Sequence, residues 1–354
     1  MVCSRPHGCL VASAMRPIFT AELVNRAFGD PGLYLDLKFS RRALLFDIGD
    51  IAALSTRKLL RVSDVFVSHT HMDHFAGFDH LLRVCLGRDI GVNLYGPPRF
   101  IEQVGHKLAA YTWNLVERYA MDFVVRAHEL GDDGWLKRAQ FRSRRRFECE
   151  PMPPIRADGS LLLDDPVFQV RACPLDHHGI PSLAFRFDEK THINVWKNRL
   201  EELGLPTGSW LTELKRLVRE GAAKDTSIRV RWRTREGSHE EVFPLGVLEE
   251  RVLEFAPGES VCYVTDVAGH ADNRAKLIDF VRAADLLFIE CVFLQQDEEH
   301  AARKAHLTAR QAGSIANAAR VKAAVPFHFS TRYIGQETLL RREFEEALHA
   351  SRVG

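Results

Sequence analysis

Short apolar runs alternate with amphipathic stretches along most of this chain. Residues 33–37 and 43–46 have the length and composition of strands and are joined by the polar turn KFSRR. Residues 64–68 form a short β-rich run leading into the sequence HTHMDH. After it, residues 75–86 place apolar side chains at helical spacing. Residues 91–95 read as a strand ended by Gly96-Pro97-Pro98, and residues 100–119 as a helix. Residues 167–173 and 183–187 are strands flanking DHHGIPS. Residues 261–265 and 286–289 are strands of the buried kind, with a helix over 273–283 between them. A helix over 308–320 precedes a strand at 321–327. Thr308, with Gln311 three residues on, makes a capping-box pattern that fixes that helix start.

Strand and helix alternate, and polar residues gather just past the C-terminal ends of the strands, the edge where α/β proteins build their sites. Two segments break the rhythm. Residues 128–165 are polar and carry RSRRR at 142–146. Residues 188–258 hold a helical stretch at 210–220 followed by RVRWRTREG. Both read as insertions on one α/β domain over 16–354, with residues 1–15 as an N-terminal extension.

Composition narrows the function. Of 354 residues, 46% are hydrophobic and 27% charged, enough to bury a large core. No apolar run approaches the ~20 residues of a membrane span, so no membrane role is expected. The first residues carry an apolar stretch too short for most secretory signals and broken by Gly8 and Ser13. Forty-eight basic residues against 47 acidic ones give a net charge of +1, so any nucleic-acid role must rest on local patches. The cysteine count is odd, seven, with no CxxC pair, which argues against a disulfide framework and fits a reducing, cytoplasmic setting.

The chemistry concentrates at His69, His71, Asp73 and His74. A loop at a strand end splays such closely spaced imidazoles and carboxylates around two ions, and these ligands suit zinc, with manganese or iron as alternatives. Two metals a few ångströms apart clamp both oxygens of a phosphoryl displacement. Four ligands are too few for two metals. Further candidates lie after other strands: His177 or His178, Asp266, and His328.

These features resemble the metallo-β-lactamase superfamily, and within it the ribonuclease Z family of tRNA 3′-processing endonucleases. The resemblance rests on HxHxDH, on FDIG at 46–49, and on HGIPSLAF at 178–185. It rests also on RLEELGLPTG at 199–208, LLFIE at 286–290, HLTARQA at 306–312 and PFHFSTRY at 326–333. It implies an αββα sandwich of two mixed β-sheets flanked by helices. It further implies two divalent ions, Zn2+ or Mn2+, with His69, His71 and His178 on one, Asp73, His74 and His328 on the other, and Asp266 between them. Aligning the IPS segment selects His178 over His177. The implied reaction is removal of 3′ trailers from precursor tRNA. A hydroxide oriented by Asp73 attacks phosphorus, and His306, paired with Glu290, protonates the leaving oxygen. The family is homodimeric, so a homodimer is expected. Where that family's tRNA-docking arm has PPGP, this chain has Leu205-Pro206-Thr207-Gly208-Ser209, and a small phosphodiester or other small ester stays open as the alternative substrate.

Arg229, Arg231, Arg233 and Arg235 alternate with other residue types. On a strand this puts four guanidinium groups on one face, a stripe suited to phosphates along an RNA strand.

Overall fold

The computed structural model describes residues 17–38, 40–234 and 237–351. The expected N-terminal extension, 1–15, and Arg235 lie outside the described residues.

The first sheet follows chain order through eight strands: β1 (Phe19–Leu23), β2 (Leu33–Leu37), β3 (Ala43–Phe46), β4 (Val62–Phe66), β5 (Gly91–Gly96), β6 (Val124–Leu130), β7 (Trp135–Arg142) and β8 (Cys149–Arg156). Strands β3 to β6 pair in parallel, and both flanks are antiparallel. The second sheet begins with β9 (Leu161–Asp164), β10 (Phe168–His177) and β11 (Ile180–Glu189). The chain then leaves the sandwich through β12 (His192–Val195), β13 (Ser227–Thr234), β14 (Gly237–Pro244) and β15 (Leu253–Ala256). It returns as β16 (Ser260–Val264), β17 (Leu286–Glu290) and β18 (Ala323–Phe327), which complete the sheet in the order β18-β17-β16-β11-β10-β9.

Three cores define the layers. Phe46, Phe66, Phe168, Phe185, Phe187 and Tyr263 fill the space between the sheets. Helices Phe78–Cys85 and Phe100–Ala109 cover the outer face of the first sheet, burying Phe78, Leu82, Phe100 and Val104 on Leu45, Val65 and Leu94. Helices Ala271–Phe280, Ala309–Ala318 and Glu337–Leu348 cover the second, with Leu277, Ile315 and Phe344 on Cys262 and Ile289. The fold is therefore an αββα sandwich. Strand β16 shows why the apolar runs lack alternation: Val261 and Tyr263 face the inter-sheet core while Cys262 and Val264 face the helices, so both faces are buried.

Three details depart from the sequence reading. The helix expected over 100–119 ends at Ala109, where the Trp113 indole donates to the Leu108 carbonyl oxygen at 2.7 Å and turns the chain. The polar segment 128–165 is built into the sandwich: it supplies the end of β6, then β7 and β8, which extend the first sheet, and β9 at the edge of the second. Its RSRRR run is tied down locally, Arg142 and the Arg144 backbone to Asp122 and Arg146 to Glu117, so this basic cluster braces a turn. After β11 ends at Glu189, the elements from β12 to β15 make an arm outside the two sheets. Its own core gathers Ile193, Leu200, Trp210, Leu214, Ile228, Val230 and Leu248.

Candidate metal centre

The site is assembled at the C-terminal ends of strands. Asp47 follows β3, His69 lies just beyond β4, His177 ends β10, Asp266 follows β16 and His328 follows β18. Asp47, Asp266 and His328 all hold left-handed backbone, with φ of 55°, 44° and 57°. Such conformations are costly for non-glycine residues and concentrate where a site over-determines them.

The HTHMDH loop is clamped onto the segment after β3. The Ile48 N–H donates to the His74 carbonyl oxygen at 2.9 Å, and the Gly77 N–H donates to the Ile48 carbonyl oxygen at 2.7 Å. The approach is so close that a Cβ on Gly49 would lie 2.0 Å from the Asp73 oxygen, and one on Gly77 2.4 Å from the Gly49 oxygen. Only glycine permits this contact.

A buried hydrogen-bond chain sets the histidine tautomers. Asp47 accepts from the Ser68 N–H at 2.7 Å, the Ser68 hydroxyl at 2.9 Å, the Tyr263 hydroxyl at 3.1 Å and His74 Nδ1 at 2.8 Å. With its proton committed to Asp47, the Ser68 hydroxyl accepts from His69 Nδ1 at 3.1 Å. His177 Nδ1 donates to the Ala305 carbonyl oxygen at 3.0 Å. Each ring therefore turns its Nε2 inward. His69 Nε2 and His74 Nε2 are buried with no hydrogen-bond partner.

Those orphaned atoms converge on Asp266. Its Oδ2 lies 3.6 Å from His69 Nε2 and 3.5 Å from His177 Nε2, and its Oδ1 lies 3.3 Å from His74 Nε2 and 3.0 Å from His328 Nδ1. Asp73 Oδ2 sits 3.5 Å from His74 Nε2 and 3.6 Å from His328 Nε2. A tetrahedral ion about 2.0–2.1 Å from its donors separates them by roughly 3.3 Å, which matches this spacing. Two compact donor sets result: His69, His71 and His177 with Asp266, and Asp73 with His74 and His328. Asp266 borders both. The donor chemistry and the orphaned nitrogens fit a pair of divalent ions.

The electrostatics agree. Burial, with His74 alongside, pushes His69 down to about 2. Burial opposes a charge on His74, but Asp266 and Asp47 outweigh it and raise the ring to about 10. Asp266 is likewise buried, yet His74 and His328 hold its carboxyl well below the usual range. Without metal, the centre stores a proton that a cation displaces on binding.

His178 is the correction. Residues 178 and 179 are the two-residue turn of the β10–β11 hairpin, with His177 facing Ile180, and both have positive φ, 55° and 81°. A tight hairpin turn of this kind aims its first residue outward. His178 is exposed, and Asp176 accepts from the Gly179 N–H at 2.8 Å to close the turn. His177, one residue earlier, points into the cluster. Asp47, Ser68 and Tyr263 also belong to the site, although sequence reasoning did not single them out. FDIG carried the only local signal, for Asp47.

Beside the donor sets lies a second pair. Glu290, fully buried, accepts from His306 Nδ1 at 3.1 Å, the Asp266 N–H at 2.7 Å and the Leu307 N–H at 2.8 Å. Asp266, Glu290, His306 and His328 are close enough to form a further donor group. The Glu290 oxygens are already taken by these N–H donors, which favours a bracing role. Burial opposes charge on His306, and Glu290 overrides it, so the ring holds a proton more tightly than an ordinary histidine. Both donor sets and His306 open onto a cleft of about 550 Å3, also lined by Phe293, His300 and Lys304.

The arginine stripe lies elsewhere. Arg229, Arg231 and Arg233 are exposed along β13, and none of them lines the cleft. Glu240, directly across from Arg231 on β14, pairs with both Arg229 and Arg231.

Comparison with known proteins places this arrangement. Residues 231–329, which include Asp266, Glu290, His306 and His328, match the family described as Beta-lactamase superfamily domain. A ribonuclease Z of Thermobifida fusca is 30% identical over 308 residues, covering 85% of this chain and 79% of that protein. One of Deinococcus radiodurans is 29% identical over 321 residues, covering 89% and 91%. The fold is shared with the metallo-beta-lactamase fold protein YhfI from Bacillus subtilis, at a TM-score of 0.52 and 16% identity over 92% of each chain. It is shared also with yeast PDE1, at 0.52 and 8% over 93% of each. Fold and site define a metal-dependent hydrolase of the metallo-β-lactamase fold. The chain belongs to the ribonuclease Z family.

Second-sphere support sets one expectation. Asp47 holds both Ser68 and His74, so Asp47→Ala is expected to weaken metal affinity by about 10–100-fold. Competition with a chromophoric chelator measures this; unchanged affinity would remove Asp47 from the centre.

Proposed function

We propose that this protein cleaves RNA phosphodiesters and removes 3′ trailers from precursor tRNA. The carrying observation is the juxtaposition of two donor sets bordering one carboxylate, Asp266, with a histidine braced by buried Glu290 at their edge. Two divalent ions held by His69, His71, His177, Asp266, Asp73, His74 and His328 would supply a nucleophile at neutral pH and neutralise charge on the phosphoryl oxygens. Zinc suits the imidazole-rich set, and manganese is the alternative. The protein's own residues do the rest. Asp73, partly exposed at the cleft, orients the attacking group. Glu290 fixes the His306 ring through Nδ1, and His306 delivers a proton to the departing 3′-oxygen. Lys304 and His300 offer positive or hydrogen-bonding groups to flanking phosphates.

The partly offset charge of the stripe favours a second reading. Glu240 offsets the charge of Arg229 and Arg231, which lowers the attraction for a long RNA backbone and leaves a small phosphodiester as substrate. Among the described residues no helix is long and apolar enough to cross a membrane. A homodimer remains part of the proposal, on family resemblance.

The test is cleavage of precursor tRNA bearing a 3′ trailer, run beside a chromogenic phosphodiester with zinc or manganese. Cleavage after the discriminator nucleotide supports the first reading, and diester hydrolysis alone supports the second. His177→Ala is expected to lose bound metal and both activities, whereas His178→Ala keeps both. The reverse pattern would return the ligand role to His178.

A further inference from the structure

Where the arm meets the sandwich, a second cavity of about 510 Å3 opens, within the range of small-molecule sites. Apolar side chains line it from both sides, Ile18, Leu37 and Val167 from the sandwich and Ile193, Val195 and Leu211 from the arm, with Ser40, His192, Asn194 and Thr212 also on its walls. Two cations line the same space. Lys215 and Arg219 stand one turn apart on helix Trp210–Arg219.

Neither cation has a hydrogen bond or ion pair among the described residues. Burial lowers the pKa of Lys215, and Arg219 adds to the effect; burial lowers that of Arg219 too. The carboxylates that bear on Arg219 are engaged elsewhere. Glu189 holds His192 at 2.5 Å, and Asp165 holds Arg42 at 2.6 Å. Like charges four residues apart on a helix repel, and partial burial adds to the cost at Lys215, while Arg219 keeps an exposed surface. A single anion between them would relieve both penalties, and the apolar side chains would take a hydrocarbon body.

We propose that this cavity binds a small amphiphilic anion, with a carboxylate or phosphate head on Lys215 and Arg219 and an apolar body between Val167 and Leu211. Such a ligand would bridge arm and sandwich, far in character from the polar metal cleft.

Isothermal titration of the full chain with decanoate, decyl phosphate and decanol tests this. One of the two anions is expected to bind at a single site, about tenfold or more tighter than decanol, because its head group gains charge-assisted contacts that a hydroxyl cannot match. Which anion binds better identifies the head group. Lys215→Gln combined with Arg219→Gln should remove that margin, leaving the anion no tighter than decanol. Val167→Trp should fill the cavity and abolish binding; Leu211→Phe, on the arm side, serves if that variant does not fold. Equal affinity for decanol and the anions, undiminished binding by the charge variant, or no binding by about millimolar ligand would each overturn the proposal.

Discussion

Asp266→Ala is expected to lower turnover by more than about 10³-fold and to strip bound metal, since it deletes the one carboxylate that both donor sets share. The geometry explains the size of the effect. The two Asp266 oxygens face four imidazole nitrogens at 3.0–3.6 Å, two on each side. Among the described residues, no other carboxylate borders both sets. Deleting it also leaves His74, with no exposed surface, with Asp47 on Nδ1 and only the more distant Asp73 carboxylate, at 3.5 Å, on Nε2. A buried cation losing its main partner costs several kcal/mol, so the metal-free variant should also unfold earlier. Asp266→Asn separates these effects. Asparagine tolerates the left-handed backbone at this position better than alanine does, and it keeps the side-chain shape. It removes only the charge. Metal content by atomic emission after dialysis should fall steeply in Asp266→Ala and less in Asp266→Asn. An alanine variant that kept two metals per chain and cleaved substrate would refute the shared-carboxylate arrangement.

Much of this architecture could be read from residue order, for a local reason. Central strands such as β3 and β16 bury both faces, so runs such as Val-Cys-Tyr-Val stand out, and the polar residue that follows such a run sits where sites form. The HTHMDH loop is equally local. What escaped depended on register or on distant approach. His177 and His178 differ only in which one ends the strand, and that is set by the turn, not by either residue's chemistry. Asp47 acquires its role from Ser68, His74 and Tyr263, the last 216 positions away. The arginine stripe was legible as a face, but the partial offset of its charge depends on the hairpin register that sets Glu240 opposite Arg231. The segment 128–165 looked like an excursion because its strands lie toward a sheet edge, where β8 is largely exposed and carries no apolar run.

His306→Ala is expected to lower kcat by about 10²–10⁴-fold on an RNA substrate while metal content stays near that of the parent protein. A 3′-alkoxide is a poor leaving group and needs its proton delivered as the bond breaks. His306 meets the requirements for that delivery. Its Nδ1 is committed to Glu290, it lines the cleft beside the donor sets, and its pKa is raised by Glu290 against the opposing effect of burial. Glu290 makes a poorer probe, because its oxygens also hold the Asp266 and Leu307 backbones, and its loss would disturb the centre itself. The decisive comparison varies the leaving group. A p-nitrophenyl diester releases an anion that needs no proton, so His306→Ala should slow it by less than about tenfold. Equal losses on both substrates would make His306 a positioning residue. Loss of metal would make it a ligand, as its proximity to Asp266 and His328 would permit. A selective loss on the alkoxide substrate, with metal retained, leaves proton delivery as the remaining account, because no other difference between the two reactions involves this side chain.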